Sequence, residues 1–181
     1  ETTLTGNIHG MPLAIALGAG PKECLSLLPN QKPLDPKKVA VLGIKDYDRE
    51  EIEFLKNLGV RVFTMREVIE RGIAAVMNDV LAIVTAPGRH LHVSVDIDAI
   101  DRADAPGVGI ASRGGFNYRE ITYITERIGE TDAVRSIDLI ELNPTRDVHN
   151  ETASLAVEIA ASLLGSRFTD YERYLVSQMH H

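Results

Sequence analysis

The stretch "HVSVDIDAIDRADAPG" at residues 92–107 sets two carboxylates, Asp96 and Asp98, among the apolar residues Val93, Val95, Ile97 and Ile100. On a strand, side chains two apart point to the same side. The two acids would then stand together at a strand end, where like charges repel and burial of either without a partner is costly. A divalent cation between or beside them removes the repulsion, and hard carboxylate oxygens suit magnesium, manganese or calcium. The plainer reading is an Asp pair that caps loop amides, with Asp98 already past the strand. Gly107 and Gly109 follow in a turn tight enough to carry backbone close to a ligand.

The surrounding pattern predicts the scaffold that would hold these acids. Four short, β-branched, nearly all-apolar segments read as buried parallel strands: 38–44, 60–65, 90–98 and 134–142. Helical patterns lie between them. Residues 49–59 place Ile52, Leu55 and Leu58 near one face and stop at Gly59. Residues 65–84 read as a longer helix with an interruption at Gly72. Residues 117–130 carry Ile121, Ile124 and Ile128 at helical spacing behind Asn117 as N-cap, and 150–165 run from Asn150 as cap to Gly165. This alternation predicts an α/β fold with helices on both faces of a mainly parallel sheet. Ligands of such sheets bind beyond the carboxyl ends of the strands. There the sequence reads "KDYDREE", "DIDAID" and "IELNPTRD", an acidic rim that asks for metal ions, a cationic substrate, or both.

Composition narrows the classes. The 181 residues are 44% hydrophobic and 25% charged, a globular profile, and the net charge of −7 with no basic stripe argues against nucleic acid as a partner. The single cysteine, Cys24, rules out an internal disulfide, fits a reducing compartment such as the cytoplasm, and reads as a buried side chain in a short helix. No apolar run reaches bilayer-spanning length; the longest, 72–84, is broken by Asn78 and Asp79. The opening "ETTLTGNIHG" has no basic or apolar leader and reads as the middle of a longer chain. The final His180 and His181 read as an exposed tail or the start of a tag, not as ligands.

Three segments, in order, carry a resemblance to a known family. "VSVDIDAIDRADAPGVG" resembles the motif of the ureohydrolase (arginase and agmatinase) family in which a strand-end Asp-x-Asp supplies ligands to a two-manganese centre. "TGNIHGMPLA" at 5–14 resembles the family's Gly-Asn-x-His-Gly-x-Pro loop, and 139–165 resembles its last strand and helix, with Glu-x-Asn-Pro between them. "GIKDYDREE" at 43–51 fits the loop between, and the pattern around His9 is closer to the arginase branch. The resemblance implies a three-layer α-β-α fold, here the C-terminal portion, 1–181, of a single such domain. It implies Asp96 and Asp98 as metal ligands, Asp98 also as a catalytic residue that hydrogen-bonds the nucleophile, His9 as proton shuttle, and Glu141 as acceptor of a substrate guanidinium. It further implies Thr5 and Asn7 on an α-carboxylate, and Asp48 with Glu51 on an α-ammonium, Asp46 being the rival for Asp48. Asp101 reads as structural, tying down the turn after the ligands.

The implied reaction is manganese-dependent hydrolysis of L-arginine to ornithine and urea, with two Mn2+ ions in the complete site. The implied partners are a small guanidino substrate and further copies of the chain, as a trimer or hexamer, with residues 168–179 as a candidate intersubunit segment. The chain also departs from the family. The family's Gly-Gly-Asp-His and Asp-Ala-His-x-Asp segments are not in this sequence, and Ile110-Ala111-Ser112-Arg113 stands where Thr-Pro often follows the Gly-x-Gly turn. Two other readings stay open: an agmatinase or other guanidino-acid ureohydrolase, with Arg113 near the substrate, and a truncated, non-catalytic α/β module.

Overall fold

The computed structural model describes residues 6–27, 30, 32–47, 49–86, 88 and 90–166. Two short helices, α1 (Pro12–Ala16) and α2 (Lys22–Leu25), lead to β1 (Ala40–Ile44), α3 (Arg49–Leu58) and β2 (Arg61–Thr64). Then come α4 (Met65–Arg71), α5 (Ile73–Val84), β3 (Leu91–Asp96), α6 (Tyr118–Gly129), β4 (Val134–Ile140) and α7 (Glu151–Leu163). The four strands lie within the four apolar segments of the sequence. The helix expected over 65–84 is two helices, because Gly72 takes φ 80° and turns the chain between them.

Both strand pairs are parallel and each is joined through a helix. β1 pairs with β2, Leu42 opposite Phe63, across α3. β3 pairs with β4, Val95 opposite Leu139, across α6. Among the described residues the two pairs are not hydrogen-bonded to each other, so the expected single sheet is present as two parallel ribbons. One core nevertheless joins them. Ala40 and Leu42 of β1 and Val93 and Val95 of β3 pack on the same buried cluster, which includes Phe63, Met77, Ile97, Phe116, Ile124 and Ile159.

Amphipathic helices supply most of that cluster. Ile121, Ile124 and Ile128 of α6 are all buried. The helix opens with a reciprocal cap: Asn117 Oδ1 accepts the Glu120 N–H at 3.0 Å, and Glu120 Oε2 accepts the Asn117 N–H at 2.9 Å. α7 contributes Leu155, Ala156, Ile159 and Leu163. Its expected cap, Asn150, makes no side-chain capping bond and sits at φ 59°. Asp147 takes that role, its two oxygens accepting from the N–H groups of Thr152 and Ala153 at 3.0 Å each.

The second face of the β3–β4 ribbon departs from a fully apolar strand pattern. His92, Ser94, Ser136 and Asp138 are exposed there. His92 Nδ1 lies 2.8 Å from Ser136 Oγ, and its Nε2 lies 3.2 Å from Asp138 Oδ2. Cys24 is on α2 as expected but half-buried. Among the described residues no helix is long and apolar enough to cross a membrane.

Candidate active site

β3 ends at Asp96, and Asp98 lies in the following 3-10 turn Ile97–Ala99. The strand alternation that the spacing suggested therefore stops two residues before Asp98. The reason is local: Asp96 Oδ1 accepts the Asp98 N–H at 3.0 Å, which caps the turn, while Ile97 is fully buried. The acid-pair reading and the amide-capping reading thus meet in one residue, since Asp96 does the capping and Asp98 follows it at the same edge.

Burial is the first cause that raises the Asp96 carboxyl, and the charge on Asp98 is the second. The Asp98 amide opposes them, Glu141 adds a further negative charge, and the group is pushed up to about 6. Three acids of the sequence reading therefore share one electrostatic environment. A divalent cation at this edge would offset that repulsion.

Glu141 follows β4 and holds a left-handed backbone, φ 66°. A non-glycine residue keeps that conformation only where its surroundings impose it. Here the turn at Gly107–Gly109 does so. Val108 bridges Leu142 in antiparallel fashion, and the Asn143 N–H donates to the Gly107 carbonyl at 2.8 Å. A Cβ on Gly109 would lie 3.3 Å from Glu141 Oε2, so the turn forms a backbone wall beside the carboxylate.

Lys45, the first residue after β1, donates from Nζ to the backbone carbonyl of Asp98. The sequence reading passed over it, although a cation at the end of one strand beside an acidic neighbouring edge was the available signal. Asp101 anchors the turn as expected, accepting from Ala103 N–H at 3.0 Å and Gly114 N–H at 2.7 Å. Those two donors hold its carboxyl below the usual range.

The remaining candidates are not gathered in the same way. His9 and Asn7 are exposed, His9 within the 3-10 turn Ile8–Gly10 and Asn7 just before it. Glu51 is half-buried in the first turn of α3, and Asp46 is exposed. Thr5, Asp48 and residues 168–179 lie outside the described residues. Ile110 and Arg113 are exposed. Among the described residues no group of three or more His, Cys, Asp or Glu side chains forms a metal cage. The carboxylate oxygens of Asp96 and Asp98 are hard donors of the type that suits manganese, magnesium or calcium, and two of them could supply only part of such a site. A recess of about 530 Å³, lined in part by His90, Thr131, Asp132 and Arg135, opens at the start of β3 and β4, the opposite end from these acids.

The sequence profile of the arginase family matches residues 1–165. The chain belongs to the arginase family. It is 36% identical over 167 residues to the arginase of Bacillus caldovelox, covering 92% of this chain and 56% of that protein. The native structure of that arginase superposes with a TM-score of 0.84 at 37% identity, again over 92% and 56% of the two chains. The Bacillus cereus arginase gives 0.86 at 36% identity, over 93% of this chain and 58% of that one. An Entamoeba histolytica arginase solved in complex with L-ornithine gives 0.80 at 28% identity, over 91% and 55%. The fold is therefore the arginase fold, and the chain spans about half the length of the arginases it matches.

Proposed function

We propose that this chain forms the C-terminal part of the active centre of a manganese-dependent amidinohydrolase that converts L-arginine to ornithine and urea. The observation that carries the reading is that Asp96 at the end of β3 stands opposite Ile140, next to Glu141, so that Asp96, Asp98 and Glu141 share the carboxyl edge of β3–β4. The arginase relatives support the reaction class, and the ornithine in the Entamoeba structure supports the product.

Asp96 and Asp98 would hold two manganese ions together with ligands from elsewhere in the complete protein. The bound metal supplies Lewis acidity that makes a water molecule nucleophilic near neutral pH. Glu141 accepts N–H groups of the substrate guanidinium, whose planar fork matches a carboxylate, and so fixes the carbon that the water oxygen attacks. As the carbon–nitrogen bond to the side chain breaks, His9 delivers a proton to the departing amine nitrogen. Thr5 and Asn7 donate to the α-carboxylate; Asp48 and Glu51 accept from the α-ammonium. The substrate is a small guanidino molecule, the compartment is the cytoplasm, and the working form is a homotrimer or homohexamer.

Urea release and bound manganese, measured on the complete protein and on Glu141→Gln, test the reading. The wild type should release urea from L-arginine, and E141Q should lose about 10²-fold or more in kcat/KM with its manganese retained. Loss of the metal from E141Q would remove Glu141 from the guanidinium. A protein that binds no manganese and releases no urea would be a non-catalytic α/β module.

A further inference from the structure

We propose that Thr152 and Asp147, at the start of α7, are positioning residues for Glu141, holding its carboxylate at the guanidinium through the Gly107–Gly109 turn; the inference rests on the role given to Glu141 above.

The linkage runs through hydrogen bonds and close approaches. Thr152 is fully buried, and its Oγ1 accepts the Gly107 N–H at 2.9 Å. The Gly107 carbonyl accepts from Asn143, two residues beyond Glu141, at 2.8 Å. Gly107 lies so close to Asp147 that a Cβ there would be 2.7 Å from the Asp147 Cβ and 2.9 Å from its Cα. Asp147 is itself fixed by three backbone donors, Val148, Thr152 and Ala153, at 2.9, 3.0 and 3.0 Å. Arg146 Nη1 donates to the Gly109 carbonyl at 2.5 Å, which fixes the other end of the turn. A Cβ built on Gly109 would lie 3.3 Å from Glu141 Oε2, so the turn runs beside the carboxylate.

Glu141 is thus held from two directions, along its own chain through Asn143 and laterally through Gly109. Its left-handed backbone, φ 66°, is one that a non-glycine residue seldom adopts. If the Gly107 N–H loses Thr152, the turn is free to move relative to α7, and the carboxylate moves with it. Misplacement by about 1 Å of a group that orients a substrate can cost on the order of 10²-fold in rate.

The test is made on the complete manganese-loaded protein with L-arginine. Thr152→Val keeps the shape and removes the oxygen; Thr152→Ser keeps the oxygen. T152V should lower kcat about 10²-fold with manganese content unchanged, and T152S should restore most of it. The double variant T152V/E141Q should be no slower than E141Q alone, because both changes act through one carboxylate. Additive losses, or T152S as slow as T152V, would overturn the proposal. Should T152V not fold, Asp147→Asn carries the same comparison with E141Q and the same deciding outcome. Crystal structures of the variants give a readout independent of turnover: Glu141 should leave φ 66° or its carboxylate should shift. An unmoved Glu141 overturns the positioning claim. A wild type that hydrolyses no guanidino compound overturns only the proposed reaction, while the position of Glu141 still decides the anchor.

Discussion

Asp96 and Glu141 show what one residue's surroundings contribute at this edge. Asp96 is half-buried, caps the turn that contains Asp98, and has its carboxyl pushed up to about 6 by burial and by its two acidic neighbours. Removing one carboxylate oxygen from either Asp should empty the metal site as well as stop turnover. We expect Asp96→Asn and Asp98→Asn each to lower manganese content and urea release together, by more than the roughly 10- to 100-fold that follows loss of an outer hydrogen-bond partner. Metal analysis beside the activity assay decides, and full manganese occupancy in an inactive D98N would take Asp98 out of the ligand set. Gly109 gives a second residue-level expectation. A methyl group placed 3.3 Å from Glu141 Oε2 must push the carboxylate by a few tenths of an ångström. Gly109→Ala should therefore reduce kcat about 10-fold at unchanged manganese content. A fully active G109A would mean that the backbone wall does not set the position of Glu141.

The elements were largely legible in the sequence, and the exceptions have local causes. α6 was readable because its isoleucines recur at helical spacing behind Asn117 as N-cap, and both signals survive in the structure, where Glu120 completes the cap. Replacing that cap, Asn117→Ala, should cost about 1 kcal/mol of stability, read as a lower midpoint in denaturant; an unchanged midpoint would show that the paired bonds at 3.0 and 2.9 Å contribute nothing net. The start of α7 was misread. Asn150 looked like the cap by adjacency, yet its backbone is left-handed, and Asp147 reaches the free N–H groups from three residues earlier. Sequence spacing does not reveal such a reach, because it depends on how residues 147–150 turn. For the same reason the period of two could not show that β3 stops at Asp96, and the position of Lys45 at a strand end beside an acidic edge was a signal for a nearby acid but not for its bond to the Asp98 carbonyl, a contact made 53 positions apart in the chain. The Asp147 anchor also predicts a pH dependence. Burial is the largest influence and raises its carboxyl, but the backbone donors of Thr152 and Ala153, the Thr152 side chain and the Val148 amide together bring it below the usual value of 3.8. A carboxyl lowered in the folded state stabilises the fold above its unfolded pKa and loses that contribution as pH falls through the folded value. The stability advantage of the wild type over Asp147→Asn should be full at pH 6 and shrink below about pH 4. An advantage that stays constant down to pH 3 would show that the charge of Asp147 is not what holds α7.

At the scale of the whole molecule, one core binds two parallel ribbons, and the acids gather at the carboxyl edge of the second. The α/β class and the acidic rim were readable from strand and helix periods. The division into two ribbons was not, because strand pairing across a sheet leaves no mark in the local pattern. Among the described residues no group of three or more His, Cys, Asp or Glu could hold a metal ion, so the proposed donors Asp96 and Asp98 would make only part of a site. The 181-residue chain by itself should therefore bind manganese weakly and release no urea from arginine. Turnover by that chain at roughly 1–10³ s⁻¹ would show that it carries a complete site of its own. Substrate choice bears most directly on the central claim, that the complete protein is an arginine hydrolase. Arginine and agmatine share the guanidinium that Glu141 would accept and differ in the α-carboxylate that Thr5 and Asn7 would bind. A site built to hydrogen-bond a group rejects the analogue without it. The deciding measurement is kcat/KM for L-arginine, agmatine and 4-guanidinobutyrate on the complete manganese-loaded protein. The account predicts that arginine is preferred by about 10²-fold or more. Equal or better use of agmatine would contradict it, and a clear preference for 4-guanidinobutyrate would contradict it in favour of a guanidino acid read by Arg113.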